Sequence, residues 1–136
     1  MALWLIEEVK GSGAIVEDYG KVYDPKEKQQ VFDKCHFGLN IMKDTVCVGL
    51  SLKSIDYFHA GLPILNSIQA DTTQIVNEYK IGINVTDENI ANVATKVGNA
   101  NVGELLEMRE NTKKVFNSLF SLEAFNEKLE DVFKKI

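Results

Sequence analysis

Apolar residues run through this chain in short clusters separated by polar, helix-spaced stretches. Leu3 to Ile6 is short and apolar and predicts a strand, and Gly11-Ser12-Gly13 predicts a turn. Ala14 to Val22 reads as extended. Tyr23-Asp24-Pro25 opens a helix to about Lys34, because proline is tolerated in a first helical turn. His36 to Met42 predicts a buried strand, and Lys43 to Gly49 a loop. Leu52, Ile55 and Phe58 then recur at helical spacing and predict a core stripe, while Lys53 and Asp56 share a different face. Ser51 stands where a side-chain oxygen can accept from a free N–H of the first turn. Gly61 can take the left-handed conformation that ends a helix, Pro63 cannot continue it, and Ile64-Leu65 predicts a short buried strand.

Farther on, Asp71-Thr72-Thr73-Gln74 has the form of a capping box and predicts a helix to about Tyr79. Ile81 to Val85 predicts a strand, and Thr86-Asp87 a cap for a helix to about Gly98. Asn99 to Gly103 is a break, Glu104 to Leu119 a helix, and Ser121 the cap of a last helix. Strands alternating with helices predict an α/β fold, a Rossmann-like parallel sheet flanked by helices. In such sheets ligands bind beyond the C-terminal ends of the strands, where the loops from Asn40 to Ser51 and from Ser67 to Thr72 fall. The apolar positions of the last two helices, from Phe116 and Phe120 to Val132 and Ile136, predict core packing.

Composition narrows the classes. With 136 residues, one domain spanning 1–136 is the expectation. A net charge of −5 without a basic block argues against nucleic acid as a partner. The N-terminus lacks the basic, then apolar, pattern of a signal peptide, and no run is long enough to span a membrane. Cys35 and Cys47 form neither a disulfide framework nor a Cys-x-x-Cys pair, so a cytoplasmic setting with both reduced is expected.

The candidate chemistry sits at Gly49 to Asp56. A helix start offers unpaired N–H groups and partial positive charge to an anion. Gly49, Leu50 and Ser51 would act through their backbone, with Leu52 and Lys53 beginning the helix. Lys53 either reaches a diphosphate as a point charge or faces solvent. Asp56 either accepts from sugar hydroxyls or is a surface carboxylate paired with Lys53. Diphosphate plus ribose suits this arrangement. His36 and His59 do not combine with the cysteines into a zinc pattern, so no metal site is expected. No Ser–His–Asp pattern marks a triad, and Gly11-Ser12-Gly13 is too short for a phosphate loop.

Gly49-Leu50-Ser51-Leu52-Lys53-Ser54-Ile55-Asp56-Tyr57, followed by Ala60-Gly61-Leu62-Pro63-Ile64, resembles the donor-site signature of GT-B glycosyltransferases of the large retaining family 4 (group 1). Tyr19-Gly20-Lys21-Val22 and Cys35 to Asn40 resemble the segments before that signature, and Gly82-Ile83-Asn84-Val85 and Phe120-Ser121 those after it. The likeness runs roughly from residue 16 to 135. It implies the C-terminal half of a GT-B fold, lacking the N-terminal acceptor domain. It implies a hexosyltransferase that transfers sugar from a nucleoside diphosphate donor, UDP-sugar foremost, to a hydroxyl acceptor in bacterial cell-surface polysaccharide synthesis. No metal or further cofactor is implied. Peripheral association of the whole enzyme with the inner face of the membrane would follow, as would exposure of the last helix and pairing into a homodimer through it.

Three departures bear on the site. The signature's first glutamate, associated with the transferred sugar, falls on Val48, and its second, a ribose ligand, on the shorter Asp56. No Arg–Lys pair for the donor phosphates precedes Tyr19. The resemblance places acid–base roles largely in the other domain, so catalytic residues are not assigned here, and without an acceptor domain this chain alone is expected to be inactive. A non-catalytic Rossmann-like nucleotide-binding or interaction module, and a GT-B-fold sugar-nucleotide epimerase, are the alternatives.

Overall fold

The computed structural model describes residues 3–136. Helix α1 (Leu3–Gly11) is followed by an irregular stretch, and then α2 (Pro25–Asp33) and strand β1 (Gly38–Asn40). Helix α3 (Leu52–His59), β2 (Ile64–Asn66), α4 (Asp71–Tyr79) and β3 (Gly82–Asn84) alternate. Helices α5 (Ile90–Gly98) and α6 (Val102–Val115), a π-helical turn (Phe116–Phe120) and α7 (Leu122–Lys134) complete the chain. The strands form one open sheet in the order β1-β2-β3. Both pairings are parallel, with Asn40 opposite Asn66 and Asn66 opposite Asn84. The α/β class and parallel sheet expected from the alternation are present, in a minimal form compatible with a Rossmann-like fold.

The sheet's two faces differ because successive side chains alternate. Asn40, Ile64 and Asn66 are buried on the face that packs against α3 and α4, whereas Leu39 on the other face is exposed. Phe58, Leu62, Ile64, Val76, Ile81 and Val115 make the dry centre, with Tyr57 and Ala60 beside them. Phe32 of α2 meets the Tyr57 ring edge-on at 5.3 Å between centroids, and Phe120 packs on Phe58 at 5.8 Å. Arg109 of α6 binds the layers together. Its guanidinium donates to the carbonyls of Cys35 (2.6 Å), Phe32 (3.3 Å) and Gly61 (3.3 Å). It thereby ties the end of α2, the α2–β1 connection and the end of α3 to α6, adding to the Cys35 N–H bond that the Phe32 carbonyl already accepts.

Several elements differ from the sequence expectation. Leu3 to Ile6 is helix rather than strand, with only Ile6 buried. The 14–24 segment is irregular and pairs with no strand. The Asp71–Gln74 capping box does not form: α4 is capped at Ala70, in a left-handed φ of 56°, without a side-chain hydrogen bond. Helix α5 begins later than Thr86-Asp87, because Thr86 and Asn89 exchange side-chain and backbone hydrogen bonds and hold 86–89 as a turn. The long helix expected to Leu119 changes to a π turn after Val115, and Asn101 and Glu104 form a capping box at its start. The core stripe of α3 is rotated. Phe58 is fully buried as expected, but Leu52 is 83% exposed and Ile55 half-buried, while Ser54 and Tyr57 point inward. The reason is polar: buried Ser54 is a hydrogen-bond partner of Asn40 and Ser51, and this orients the helix.

Some boundaries coincide closely. Asp24 caps α2 through its carboxylate, with proline at the first helical position. Ser51 caps α3 by accepting from Ser54 N–H, and Ser121 caps α7 by accepting from Ala124 N–H. Gly61 has φ 66° and ends α3 as expected. Gly82 has a different role: a Cβ there would collide with the Ile64 backbone, so only glycine lets β3 approach β2. Among the described residues no helix is long and apolar enough to cross a membrane.

Candidate functional site

The C-terminal end of the sheet is built on three asparagines, one from each strand. Asn40 Nδ2 donates to Asn66 Oδ1 at 2.9 Å, and Asn66 Nδ2 donates to Asn84 Oδ1 at 2.9 Å. Asn66 also accepts from Ile68 N–H (3.1 Å) and donates to the Ile68 carbonyl (2.8 Å). Its amide is thus fully engaged although the residue is completely buried. Asn40 Nδ2 also donates to Ser54 Oγ at 3.0 Å, which ties the ladder to α3. Asn84 extends it to α4 through the Thr73 carbonyl and Asn77 Oδ1.

Two loops are fastened above this ladder. Met42 N–H donates to Ser67 Oγ (2.8 Å), which returns a hydrogen bond to the Met42 carbonyl (3.0 Å). The Gly49 carbonyl accepts from Thr72 N–H (3.0 Å) and Thr72 Oγ1 (2.5 Å). The Asp71 carboxylate lies so close to Gly49 that a Cβ would meet it at 2.6 Å. These bonds hold Gly49 against the start of α4 and aim the following residues into α3. Ser51 Oγ takes the Ser54 N–H, and the Ile55 N–H returns to the Ser51 carbonyl. The N–H groups of Leu52 and Lys53 belong to the first turn of α3, which has no preceding helical carbonyl to receive them.

The candidate residues thus lie on one turn-to-helix segment at the C-terminal end of the sheet, Gly49 to Lys53 in sequence and Asp56 one turn farther along α3. Gly49, Leu50 and Ser51 are half-buried, with Leu50 packed against the core. Leu52, Lys53 and Asp56 are exposed. Asp56 does not pair with Lys53. Its carboxylate is 3.0 Å from Lys28 Nζ, reaching across from α2. Lys53 Nζ lies 6.0 Å from the centroid of the Tyr57 ring, at the outer edge of cation–π range. Tyr57 donates to the Leu39 carbonyl at 3.3 Å. Burial, then the nearby Cys35, then the Asp56 carboxylate push the Tyr57 hydroxyl above its ordinary pKa.

The remaining candidates stand apart. His59 is exposed, with its ring 4.8 Å from that of Phe116, so it packs on the π turn. Both cysteines are free thiols, Cys47 exposed and Cys35 half-buried with Sγ near the Val31 carbonyl. Among the described residues, no three His, Cys, Asp or Glu side chains are grouped to hold a metal ion. On the opposite sheet face Leu39, Leu65, Val85 and Val97 line an apolar groove of about 220 Å³.

Lys28 and the asparagine ladder were not singled out from the sequence. The ladder has a signal: each strand ends in an apolar residue followed by Asn, at Leu39-Asn40, Leu65-Asn66 and Ile83-Asn84. Lys28 has none, because its pairing with Asp56 crosses 28 positions of chain. Comparison of the chain with protein-family models, with curated proteins and with solved structures finds no match.

Proposed function

We propose that this domain binds a nucleoside diphosphate sugar, UDP-sugar foremost, as the donor half of a glycosyltransferase of the GT-B type. The observation that carries the reading is the Gly49–Ser51 turn, which delivers the N-terminus of α3 to the C-terminal end of a parallel sheet with Asp56 exposed on the same helix. The free N–H groups of Leu52 and Lys53, and the Lys53 ammonium, would face the diphosphate. Asp56 would accept from the ribose hydroxyls. N–H dipoles aimed at the departing diphosphate stabilise the charge it gains in the transition state. No base or nucleophile is assigned. Positioning of the acceptor hydroxyl is a large part of such a rate and would come from an acceptor-holding domain.

A second reading is a nucleotide-binding module without catalysis. Val48 favours it, since that side chain cannot hydrogen-bond to a transferred sugar. Titration calorimetry with uridine, UDP and a panel of nucleoside diphosphate sugars tests the shared premise. Weak binding of UDP, stronger than of uridine, is expected. No heat from any diphosphate at millimolar concentration would sink both readings. A radiolabelled transfer assay with the acceptor-holding domain supplied separates them, because only the first reading predicts turnover.

A further inference from the structure

Helix α2 turns a fixed face toward α3. Gln29 Nε2 donates to the Ala60 carbonyl at 3.3 Å, and Phe32 packs edge-on against Tyr57. Lys28 lies one turn before Phe32 and shares that face. It is half-buried, whereas Lys26, the other lysine of α2, is exposed. The face therefore carries one cation to α3, and its Nζ stands 3.0 Å from Asp56 Oδ2. A half-exposed pair of this kind adds little to folding. Its larger consequence is for Asp56, an exposed side chain that would otherwise sample several rotamers. Ordering such a side chain at the moment of binding costs affinity, and a partner that orders it beforehand removes that cost.

We infer that Lys28 is a positioning residue of the nucleotide site: it holds one oxygen of Asp56 and so presents the other, already oriented, to the ribose hydroxyls. This role rests on the proposed binding of a nucleoside diphosphate. Lys28 acts through Asp56 and does not touch the ligand. That separates it from two other roles a lysine at this place could have. A cation in contact with phosphate would strengthen the binding of any diphosphate, with or without ribose hydroxyls. A cation that only fastened α2 to α3 would change unfolding and leave binding alone.

Titration calorimetry with UDP and with its 2′,3′-dideoxy analogue tells the three apart. Lys28→Ala should weaken UDP binding roughly two- to ten-fold, the range set by ordering one side chain, and leave the dideoxy analogue unaffected. Lys28→Met, which keeps the apolar stem, should behave in the same way, and Lys28→Arg should restore UDP binding. In an Asp56→Ala background, Lys28→Ala should cause no further loss, because the two residues act as a unit. Circular dichroism and urea unfolding establish that each variant is folded. Equal losses for UDP and the dideoxy analogue, a further loss in the Asp56→Ala background, or parent-like UDP affinity in folded Lys28→Ala and Lys28→Met proteins would each overturn the positioning role while leaving UDP binding in place. No binding of UDP by the parent protein would overturn both.

Discussion

Lys28 Nζ is 3.0 Å from Asp56 Oδ2, so the carboxylate in the candidate donor site is already held by a cation from the neighbouring helix. The pair is half-exposed, and contributes about 0.2–1 kcal/mol to folding. Its value lies in placement. Lys28 fixes one oxygen of Asp56 and leaves the other to accept.

Removal of Asp56 therefore separates binding from stability. Asp56→Ala should weaken UDP binding about ten-fold or more, through lost charge-assisted hydrogen bonds to ribose. Lys53→Ala should weaken UDP but not uridine. Calorimetry measures both, and urea denaturation should show each variant within about 1 kcal/mol of the parent. Unchanged UDP affinity in a folded Asp56→Ala protein would remove the ribose role from this residue.

The asparagine ladder predicts the opposite balance. Asn66→Leu fills the space but leaves Asn40 Nδ2, Asn84 Oδ1 and both Ile68 backbone groups without the partner they have now. Each buried group left unsatisfied costs about 1–3 kcal/mol, so the variant should lose at least about 3 kcal/mol in denaturant unfolding. A loss below 1 kcal/mol would mean that water reaches the ladder. Asn84→Ala, at a half-buried position, should cost less.

Tyr57 predicts an alkaline limit. Burial, then Cys35 and Asp56, raise its folded pKa above the ordinary 10.0. A raised folded pKa means that the folded state holds the proton more tightly. This contribution to stability is complete below about pH 10 and is lost as pH rises through the folded value. Tyr57→Phe removes the hydrogen bond to the Leu39 carbonyl, costing about 0.5–1 kcal/mol at neutral pH. It should also flatten the decline in unfolding free energy above pH 10. Parallel curves for parent and variant would show that Tyr57 does not set that decline.

Arg109 predicts a failure of conservative replacement. Its planar fork reaches three carbonyls on α2, the α2–β1 connection and the end of α3. A lysine ammonium at the end of a flexible stem cannot span them. Arg109→Lys and Arg109→Ala should both destabilise by about 2 kcal/mol or more in thermal or urea unfolding, by leaving charge-assisted hydrogen bonds unmade. Full rescue by lysine would show that charge alone matters at this position.

Local rules carried much of the organisation. Asp24-Pro25, Ser51, Gly61-Leu62-Pro63 and Ser121 mark helix ends because caps, left-handed glycine and proline act over a few residues. The order of β1, α3, β2, α4 and β3 followed from alternating apolar runs, and with it the loop-to-helix position of Gly49 to Lys53. From the chain alone, then, an α/β architecture could be read, with a short helix whose N-terminus lies at the C-terminal end of the sheet.

Tertiary structure decided the rest. The sequence pattern put Leu52, Ile55 and Phe58 in the core, but Ser54's bond to Asn40 rotates α3 so that Leu52 faces solvent. Leu3 to Ile6 is too short an apolar run for periodicity to separate strand from helix. Asp56's partner is Lys28, not the nearer Lys53, because packing of α2 against α3 brings distant residues together. Whether the apolar stripe of α7 is core or surface was equally beyond the pattern. The spacing of Leu122, Phe125 and Leu129 specifies a face to be buried, but only the path of the helix away from the body shows that this chain does not bury it. Hydrogen-bond caps and turns are written locally in a sequence; long-range polar pairs and the direction of an apolar face are settled only when the elements meet.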